Sequence, residues 1–438
     1  MTSDPALAPA ARSGGPRPKV VIAGGGCAGL ECALRLRELA GGEVGITLVT
    51  DDDELSFAPD SIYVPFGLDP GKVRVPLHIP AHKRDLDLLV APIHGVDTER
   101  RELDTVAGPV EFDYLVVATG SGARRSEITG LAEHALSVWT PDYMLELAYA
   151  FDRLADEVRG GARRRVVFCV PPGCMCPAPL YEVALMFETW LRRQHARQGV
   201  EIVLTTHERS FLEPLGPLMH DELETELVRR GIAAHLDHPV HEIDAEEVSY
   251  LGGGALSYDL FIAFPPQAAT LDHVGLPTDR RGFIQTHLAS CEVEGENGIY
   301  AIGDAADFPL KQSLLAFQQA DAAAEHIAPR LFGRSAEGSF DPVSMDVLEQ
   351  LDKGTFANVP LELTGDSDRP LAVRGGPTDD YRVGTSRAWR LGKLALARAV
   401  PWRFRRGEPF GAGAFWETIE ATLRGMSKVW ASGGNGEP

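Results

Sequence analysis

The chain has 438 residues, of which 44% are hydrophobic, and a formal net charge of −21 at pH 7. This length and apolar content predict two or three domains with a large buried core. The acidic balance argues against a nucleic-acid binder, because phosphate contacts need a basic surface and the only basic concentration lies near the C-terminus. Six unevenly spaced cysteines do not form a disulfide framework, and no export signal or membrane-spanning apolar run is found, so a cytoplasmic protein is expected.

The predicted elements begin after a Pro/Ala/Gly-rich N-terminus, residues 1–18, which is expected to be disordered. From Lys19 a strand, a glycine turn, a helix and a second strand follow within about 30 residues, the length of one βαβ unit. A similar unit runs from "RRVVFCV" to "VEIVLTT". An alanine-rich helix is predicted over 314–331, and from about residue 333 the pattern changes to short segments interrupted by glycine and proline.

These elements predict an α/β fold with two Rossmann-like dinucleotide-binding domains and a small C-terminal region. The first domain is expected to be discontinuous, with a strand and a helix contributed by the later part of the chain. The predicted limits are 19–140 with 281–332 for the first domain, 141–280 for the second, and 333–438 for the C-terminal region with its basic tail.

The first glycine turn has the spacing of a dinucleotide-binding site, since Gly24, Gly26 and Gly29 stand at G-x-G-x-x-G intervals between a strand and a helix. In that pattern the first glycine permits a tight turn, the second lets a pyrophosphate approach the backbone, and the third lets the helix pack closely against the strand. Asp51, at the end of the next strand, is the acid expected to bind ribose hydroxyls, and Thr50 is a neighbour that could share this role. A turn without a ligand is the alternative interpretation.

Two later strands end in small residues, which allows a cofactor to lie against bare backbone. They are "FDYLVVATGS", with Thr119 and Gly120, and "NGIYAIGDAADFP", with Gly303 and Asp304. Both resemble motifs of flavoproteins with two dinucleotide-binding domains, and this resemblance implies that Asp304 binds the ribityl chain of FAD. With the glycine turn, they predict FAD as the cofactor. The N-terminus of the next helix should face the flavin ring with its free N–H groups, which adds two candidates, Lys311 and Gln312. A solvated helix cap is the alternative interpretation of both.

Together with "LSFAPDSIYVPFG" and "LKQSLLAFQQADAAAEHIA", these motifs resemble one group of pyridine nucleotide-disulfide oxidoreductases. That group contains the sulfide:quinone oxidoreductases, the flavocytochrome c sulfide dehydrogenases and the type II NADH dehydrogenases. The resemblance covers about residues 19–332. It implies an FAD-dependent oxidoreductase that passes electrons from a small-molecule reductant, of the sulfur type or another, to a quinone or similar acceptor.

The turn of the second unit departs from the glycine pattern of NADH-using relatives. When G-x-G-x-x-G-x-E is aligned on Glu182, the three glycine positions are taken by Met175, Pro177 and Leu180. Pro177 has no N–H to donate to a phosphate, and a leucine prevents close helix packing. A shifted register recovers only Gly173. The loop therefore favours a reductant other than NAD(P)H, and an NAD(P)H:acceptor oxidoreductase stays as the alternative.

Cysteines occupy that loop instead. Sulfide-oxidising relatives carry a redox cysteine before a similar helix start, and this resemblance implies a redox role for Cys176 in "CPAPLYE", with Cys174 as its neighbour. A thiol at a helix N-terminus is expected to have a lowered pKa. The second redox cysteine of those relatives is absent, since no cysteine follows Cys291, so either Cys174 and Cys176 act together or the chemistry is not sulfide oxidation. Inert packing is the alternative for both and the interpretation of the other four, Cys27, Cys32, Cys169 and Cys291.

A zinc site built from the cysteines of this loop would lack a fourth ligand, so no metal site is predicted.

The C-terminal tail is basic and aromatic: residues 381–430 carry a net charge of +7 and four of the six tryptophans. That composition is typical of a segment that lies on an anionic membrane. The resemblance points the same way, because quinone-reducing relatives have membrane-binding C-terminal segments. One prediction is therefore a peripheral protein on the inner face of the cell membrane. Packing of the tail on the acidic body, or a contact in a homo-oligomer, is the other. A flavoprotein partner subunit without a substrate of its own is the remaining alternative for the whole chain.

Overall fold

The structure is a computed structural model that describes residues 17–271, 275–375 and 380–411, together with 425, 432 and 433. The predicted disorder of residues 1–18 therefore falls almost entirely outside the described residues. The described helices are α1 (Cys27–Ala40), α2 (Ala58–Ser61), α3 (His78–Lys83), α4 (Leu131–His134), α5 (Pro141–Arg159), α6 (Ala178–Arg193), α7 (Pro217–Arg230), α8 (Ser313–Leu331) and α9 (Arg387–Arg406). The described strands are β1 (Lys19–Ala23), β2 (Gly45–Thr50), β3 (Glu54–Ser56), β4 (Arg74–Pro76), β5 (Asp87–Val90), β6 (Ile93–Asp97), β7 (Glu102–Thr105), β8 (Val110–Glu111), β9 (Tyr114–Val117), β10 (Ser121–Ala123), β11 (Leu136–Ser137), β12 (Arg164–Val170), β13 (Val200–Thr206), β14 (Ala233–His235), β15 (Val240–Ile243), β16 (Glu247–Tyr250), β17 (Ala255–Ser257), β18 (Leu260–Ala263), β19 (Gln267–Ala269), β20 (Ile299–Ala301), β21 (Val343–Glu349), β22 (Gly354–Leu363), β23 (Leu371–Val373), β24 (Arg382–Ser386) and β25 (Ser432–Gly433).

The first sheet is parallel, with strand order β20-β9-β1-β2-β5. Its central strand β1 is a continuous apolar run, and Val20, Val21, Ile22 and Ala23 are all buried, as expected for a strand covered on both faces. Helices α1 and α8 pack against each other beside this sheet. The edge strand β20 comes about 180 residues after β9 in the chain, so the sheet is completed late in the sequence.

The second sheet is also parallel, with strand order β11-β18-β12-β13-β14. Helix α6 connects β12 to β13, and most of its residues are buried, including the carboxyl side chains of Glu182 and Glu188. Two parallel sheets with crossover helices confirm the predicted α/β class and its two Rossmann-like units. The exact domain limits stay a prediction.

The C-terminal region forms a third, antiparallel sheet, with order β21-β22-β24-β25 and β23 paired to β22. Helix α9 covers this sheet, and its Trp389 is fully buried in a stack on Phe356, with ring centroids 4.1 Å apart. The tail residues up to 411 thus include a folded amphipathic helix. Within the described part of the chain, no helix has the length and apolar character to cross a membrane.

A buried ion-pair network joins the second sheet's helices to the turn between β21 and β22. Arg230 at the end of α7 is only 3% exposed, and its guanidinium donates to Glu188 Oε2 at 3.0 Å, Gln350 Oε1 at 2.6 Å and Asp352 Oδ1 at 2.7 Å. Because a buried guanidinium needs such partners to offset its desolvation, this network fixes how the C-terminal sheet docks on the second unit.

A second long-range contact joins the two ends of the chain. Glu31 is fully buried in α1, and its two carboxyl oxygens accept hydrogen bonds from the backbone N–H groups of Phe410 and Gly411, each at 2.7 Å. Burial raises the pKa of Glu31 to about 7, and the two amides oppose that rise. The segment after α9 is therefore held on the first helix of the first unit.

Candidate functional site

The three glycines of the first turn have different structural roles. A Cβ at Gly24, which has φ +121°, would lie 2.1 Å from the carbonyl oxygen of Ala118, and a Cβ at Gly29 would lie 1.9 Å from that of Gly24. Packing alone therefore demands these two glycines. At Gly26 the backbone is extended, with φ −71°, and a Cβ would meet no atom within 4 Å. The second glycine thus leaves open space at the N-terminus of α1, where a phosphate group would fit.

The end of β2 lies beside this opening. Thr50 is buried, and its Oγ1 is 2.7 Å from the position of a Cβ on Gly25. Asp51 is exposed, and no hydrogen bond from another described residue reaches its carboxylate. An available carboxylate after the second strand, next to an open turn, fits a ribose of a dinucleotide.

The other two predicted motifs meet the glycine turn at the carboxyl ends of β9 and β20. Gly303 has φ +61°, and a Cβ there would lie 2.9 Å from the Cβ of Ala28 in α1. Gly120 has φ +77° and faces open space, while the carbonyl of Thr119 accepts a hydrogen bond from Thr270 Oγ1 at 3.0 Å. Small residues thus line one crevice outside the carboxyl ends of the strands, which is where dinucleotides bind in open α/β sheets.

Asp304 is linked to the cysteine loop by a chain of hydrogen bonds. Ser121 Oγ donates to Asp304 Oδ2 at 2.9 Å, Gln267 Nε2 donates to Ser121 Oγ at 3.3 Å, and the amide of Met175 donates to Gln267 Oε1 at 2.9 Å. Gln267 is only 1% exposed. Burial raises the pKa of Asp304, and Lys311 and Ser121 oppose that rise. The predicted ribityl-binding residue and the predicted redox loop therefore lie on one polar network.

The structure places Lys311 and Gln312 directly before α8. The ammonium group of Lys311 donates to the carbonyl of Ala306 and lies 3.8 Å from the ring centroid of Phe283. Burial lowers the pKa of Lys311 to about 8, although nearby aspartates favour its charged form. Gln312 is the N-cap residue of α8, and its Oε1 accepts from Ser344 Oγ at 2.9 Å. Both side chains line the same cavity as Asp304.

The cysteine loop differs electrostatically from the prediction. Helix α6 begins at Ala178 with Pro177 as its N-cap, so Cys176 precedes the helix. Burial raises the pKa of Cys176 well above its ordinary value, and the charges of Cys174 and Asp304 raise it further. The expectation of a lowered pKa was therefore wrong, because desolvation of the thiolate outweighs the helix dipole. Both thiols of the loop are half-buried, and neither is part of a disulfide.

The other four cysteines lie outside this loop: Cys32, Cys169 and Cys291 are buried, and Cys27 is half-buried at the start of α1. Among the described residues, no cluster of three or more His, Cys, Asp or Glu side chains could hold a metal ion. The packing role predicted for these four cysteines stays a prediction.

The second turn is filled by protein groups where a nicotinamide cofactor would need space. A Cβ at Gly173 would contact Arg281 and Pro266 at 3.2 Å. At the end of β13, where an acid typically binds the cofactor's ribose, Glu208 is 5% exposed and accepts hydrogen bonds from Tyr181 at 2.7 Å and from Thr206 at 2.8 Å. The carboxylate of Glu208 is thus already engaged by the hydroxyl groups of Tyr181 and Thr206.

One cavity of about 460 Å³ joins the cysteine loop to Asp304 and to the start of α8, whereas neither glycine turn lines it. Its wall includes Cys176, Asp304 and the segment Ser56–Ile62, together with one side of α9 from Trp389 to Val400. Most of this wall is apolar. Sequence reasoning missed several of the lining residues, among them those of α9, Asp60 and Gln267, and it used Glu182 only to align the glycine pattern.

A buried ion pair lies in the wall of this cavity. The ammonium group of Lys393, from α9, donates to Glu182 Oε1 and to the carbonyl of Val347 at 2.6 Å. Glu182 is 4% exposed, and burial raises its pKa to about 7 even though Lys393 lowers it. The amide of Glu349 donates to the same oxygen of Glu182 at 2.6 Å. A carboxyl group that titrates near neutrality beside an ammonium can hold and release a proton at this wall.

Comparison with known proteins agrees with this geometry. A family model described as pyridine nucleotide-disulphide oxidoreductase matches residues 18–165 and 181–326. The chain is 30% identical over 195 residues to the sulfide-quinone reductase of Aquifex aeolicus, and 27% identical over 126 residues to the type II NADH:quinone oxidoreductase of Staphylococcus epidermidis. These alignments span 43% and 28% of the chain and 43% and 31% of the two relatives, so the chain matches less than half the length of each relative. The crystal structure of the sulfide:quinone oxidoreductase from Aquifex aeolicus superposes on this chain with a TM-score of 0.80 at 20% sequence identity. The superposition covers 93% of this chain and 96% of that one, so the two proteins share a fold.

Proposed function

The chain belongs to the pyridine nucleotide-disulphide oxidoreductase family, and we propose that it is an FAD-dependent oxidoreductase that takes electrons from a sulfur-type reductant and passes them to a quinone-like acceptor. The observation that carries this proposal is the single cavity that is lined by Cys176, by Asp304 and by the apolar side of α9. It would bring a donor, a cofactor and an apolar acceptor together in one cavity.

The residues described above fit FAD. The open space at Gly26 and the N-terminus of α1 would hold the pyrophosphate, Asp51 a ribose, and Asp304 the ribityl chain. Thr119 and Gly120 would line the crevice between them, and Lys311 and Gln312 would lie near the ring. Bound there, FAD would supply two-electron chemistry between donor and acceptor.

The cysteine loop supports a sulfur-type donor. Cys176 lines the cavity, and the hydrogen bonds from Ser121 through Gln267 to Met175 hold this loop against Asp304. An S–S bond formed between the Cys176 sulfur and sulfide would release two electrons, which FAD would accept. Because burial keeps the thiol protonated near neutral pH, this step requires loss of its proton and should accelerate as the pH rises.

The acceptor side is supported by the wall of α9. Leu396, Ala397 and Val400 offer an apolar surface for a ring, and the pair of Glu182 and Lys393 would supply a proton to a reduced acceptor. Proton uptake from a wall residue suits quinone chemistry, in which two electrons are accompanied by two protons.

The outer side of the same helix supports contact with a membrane surface. Leu391 and Trp402 are 65% and 52% exposed, and the guanidinium of Arg406 lies 4.7 Å from the Trp402 ring centroid. Exposed apolar and aromatic side chains next to arginines suit the interface of an anionic bilayer. Trp416 and Trp430, the other tryptophans of the predicted tail, lie outside the described residues. A peripheral cytoplasmic location is part of this proposal.

Reduction by NAD(P)H is the second candidate, favoured by the similarity to the type II NADH:quinone oxidoreductase. The geometry of the second turn argues against NAD(P)H binding. The Tyr181 hydroxyl already donates a hydrogen bond to Glu208, and Pro177 offers no N–H to a phosphate.

The test is anaerobic mixing of the flavin-loaded protein with sulfide, a low-molecular-weight persulfide, NADH or NADPH while the flavin absorbance is followed. The proposal expects bleaching by the sulfur donors and re-oxidation by a water-soluble quinone. Cys176→Ser should abolish bleaching with the FAD content intact, while Cys291→Ser, a buried thiol outside the cavity, should not. Rapid bleaching by NADH, undiminished in Cys176→Ser, would establish the second candidate, and bleaching by no donor would favour a partner subunit.

A further inference from the structure

Four carboxyl side chains line the cavity, and Asp60 is the only one of these four whose carboxyl group receives no hydrogen bond from the described residues. Asp60 lies in the short helix α2 and is 7% exposed. By contrast, Glu182 receives hydrogen bonds from Lys393 and from a backbone amide, and Asp304 receives one from Ser121. The fourth, Asp346, receives hydrogen bonds from a backbone amide and a glutamine side chain. A buried carboxyl without a partner is costly, so it marks a place where a ligand can supply the missing hydrogen bond.

The charges around Asp60 show which form of the carboxyl group is present. Burial raises the pKa of Asp60 to about 7, and the cations of α9 that face it, Lys393 and Arg398, limit the rise. The other titratable groups near it are Tyr63 on its own segment and Cys27 at the start of α1. Below about pH 7 the carboxyl group is mostly protonated, and its O–H is then a hydrogen-bond donor directed at an apolar space.

We propose that the Asp60 carboxyl group donates a hydrogen bond to a carbonyl oxygen of the electron acceptor, and that it thereby selects neutral acceptors that carry a carbonyl group. This inference rests on the proposed function, since it concerns the acceptor of that reaction. The apolar part of the cavity wall would bury the ring of such an acceptor, and the hydrogen bond from Asp60 would fix its orientation.

The test compares Asp60→Asn, which retains an N–H donor at every pH, with Asp60→Leu, which has a similar size and no donor. Glu43→Gln changes an exposed acid outside the cavity and serves as the control. Full-length, flavin-loaded proteins are titrated with menadione, a small naphthoquinone, and its binding is followed by quenching of protein fluorescence without turnover. The rate of re-oxidation of the reduced protein by ferricyanide, an anion without a carbonyl group, is measured in parallel.

We expect Asp60→Leu to weaken menadione binding about 3- to 10-fold, the effect of one lost hydrogen bond, and to leave re-oxidation by ferricyanide unchanged. Asp60→Asn should bind menadione like the wild type. Above about pH 7 the wild type should lose affinity as Asp60 ionises, and Asp60→Asn should lose less, because one titrating group fewer then faces the cavity while Glu182 and Lys311 still titrate in both proteins.

Equal menadione affinity in Asp60→Leu and the wild type would overturn the inference, and so would loss of FAD from the Asp60 variants, which would assign Asp60 to the cofactor site. A parallel loss of the ferricyanide reaction would also overturn it, because the residue would then act on the protein as a whole. A wild-type protein that neither binds menadione nor is re-oxidised by it would instead remove the proposed quinone-like acceptor itself, so the two failures are distinguishable.

Discussion

Replacing Gly26 by alanine separates the cofactor role of the glycine turn from its structural role. The backbone at Gly26 has φ −71°, which alanine adopts without strain, and a Cβ there would contact no protein atom within 4 Å. The only expected effect on the apoprotein is the poorer N-cap preference of alanine, about 0.5–1 kcal/mol. If a pyrophosphate approaches this position, however, the added methyl group should weaken FAD binding.

The size of the effect follows from ligand linkage. FAD at 100 times its Kd stabilises the native protein by about 2.7 kcal/mol, and a 100-fold loss of affinity at the same concentration leaves about 0.4 kcal/mol. Thermal unfolding with and without added FAD should therefore show a large shift for the wild type and almost none for Gly26→Ala. Gly42→Ala, which is equally unobstructed but lies after α1, should respond to FAD like the wild type. A full FAD shift in Gly26→Ala would refute the pyrophosphate position, and an unfolded apoprotein would refute the claim that this space is open.

Three further predictions follow from the contacts described above. Iodoacetamide should alkylate Cys176 more slowly at pH 7 than it alkylates N-acetylcysteine, because burial raises the pKa of the Cys176 thiol, and its rate should still rise at pH values where that of N-acetylcysteine has levelled off. Mass spectrometry locates the label, and fast labelling of Cys176 at pH 7 would contradict the pKa direction. Arg230→Met should lower the free energy of unfolding by about 3–5 kcal/mol, because it leaves the buried Glu188 carboxylate without its buried partner. Arg192→Met removes a more exposed partner of Glu188, at 2.6 Å, and should lower the free energy of unfolding by under about 1 kcal/mol. Equal denaturation midpoints for the two variants would argue against the buried network. The double substitution of Leu391 and Trp402 by serine should reduce flotation with anionic liposomes without loss of FAD, and unchanged flotation at low salt would leave this side of α9 without a membrane role.

The parts of the fold and site that the sequence predicts are those encoded by neighbouring residues. The glycine turn, the two strands that end in small residues and the helix predicted over 314–331, observed as Ser313–Leu331, all follow from local spacing and periodicity. Each is formed by residues that are close in the chain, so one window contains the whole signal.

The parts that it does not predict depend on contacts between distant segments. Lys393 and Glu182 are 211 residues apart, and Gln267 and Met175 are 92 apart, so no local pattern indicates either pair. Lys393 belongs to a tail whose positive charge predicts a surface segment, yet its ammonium is buried in the cavity wall. The pKa of Cys176 was mispredicted for the same reason, because a helix position can be read from the sequence and the depth of burial cannot.

The hydrogen bonds between Glu31 and the amides of Phe410 and Gly411 also bear on how the protein is made. A ribosome adds roughly 5–20 residues per second, so about 20–80 s separate the synthesis of these partners, which are 379 and 380 residues apart. During that interval α1 exists without the amides that its buried carboxyl group requires, and the first sheet also lacks its edge strand β20. The domain that is translated first can therefore finish folding only after nearly the whole chain has emerged. Chaperone protection of the nascent first unit should then matter more than that of the second, whose strands lie within residues 136–263.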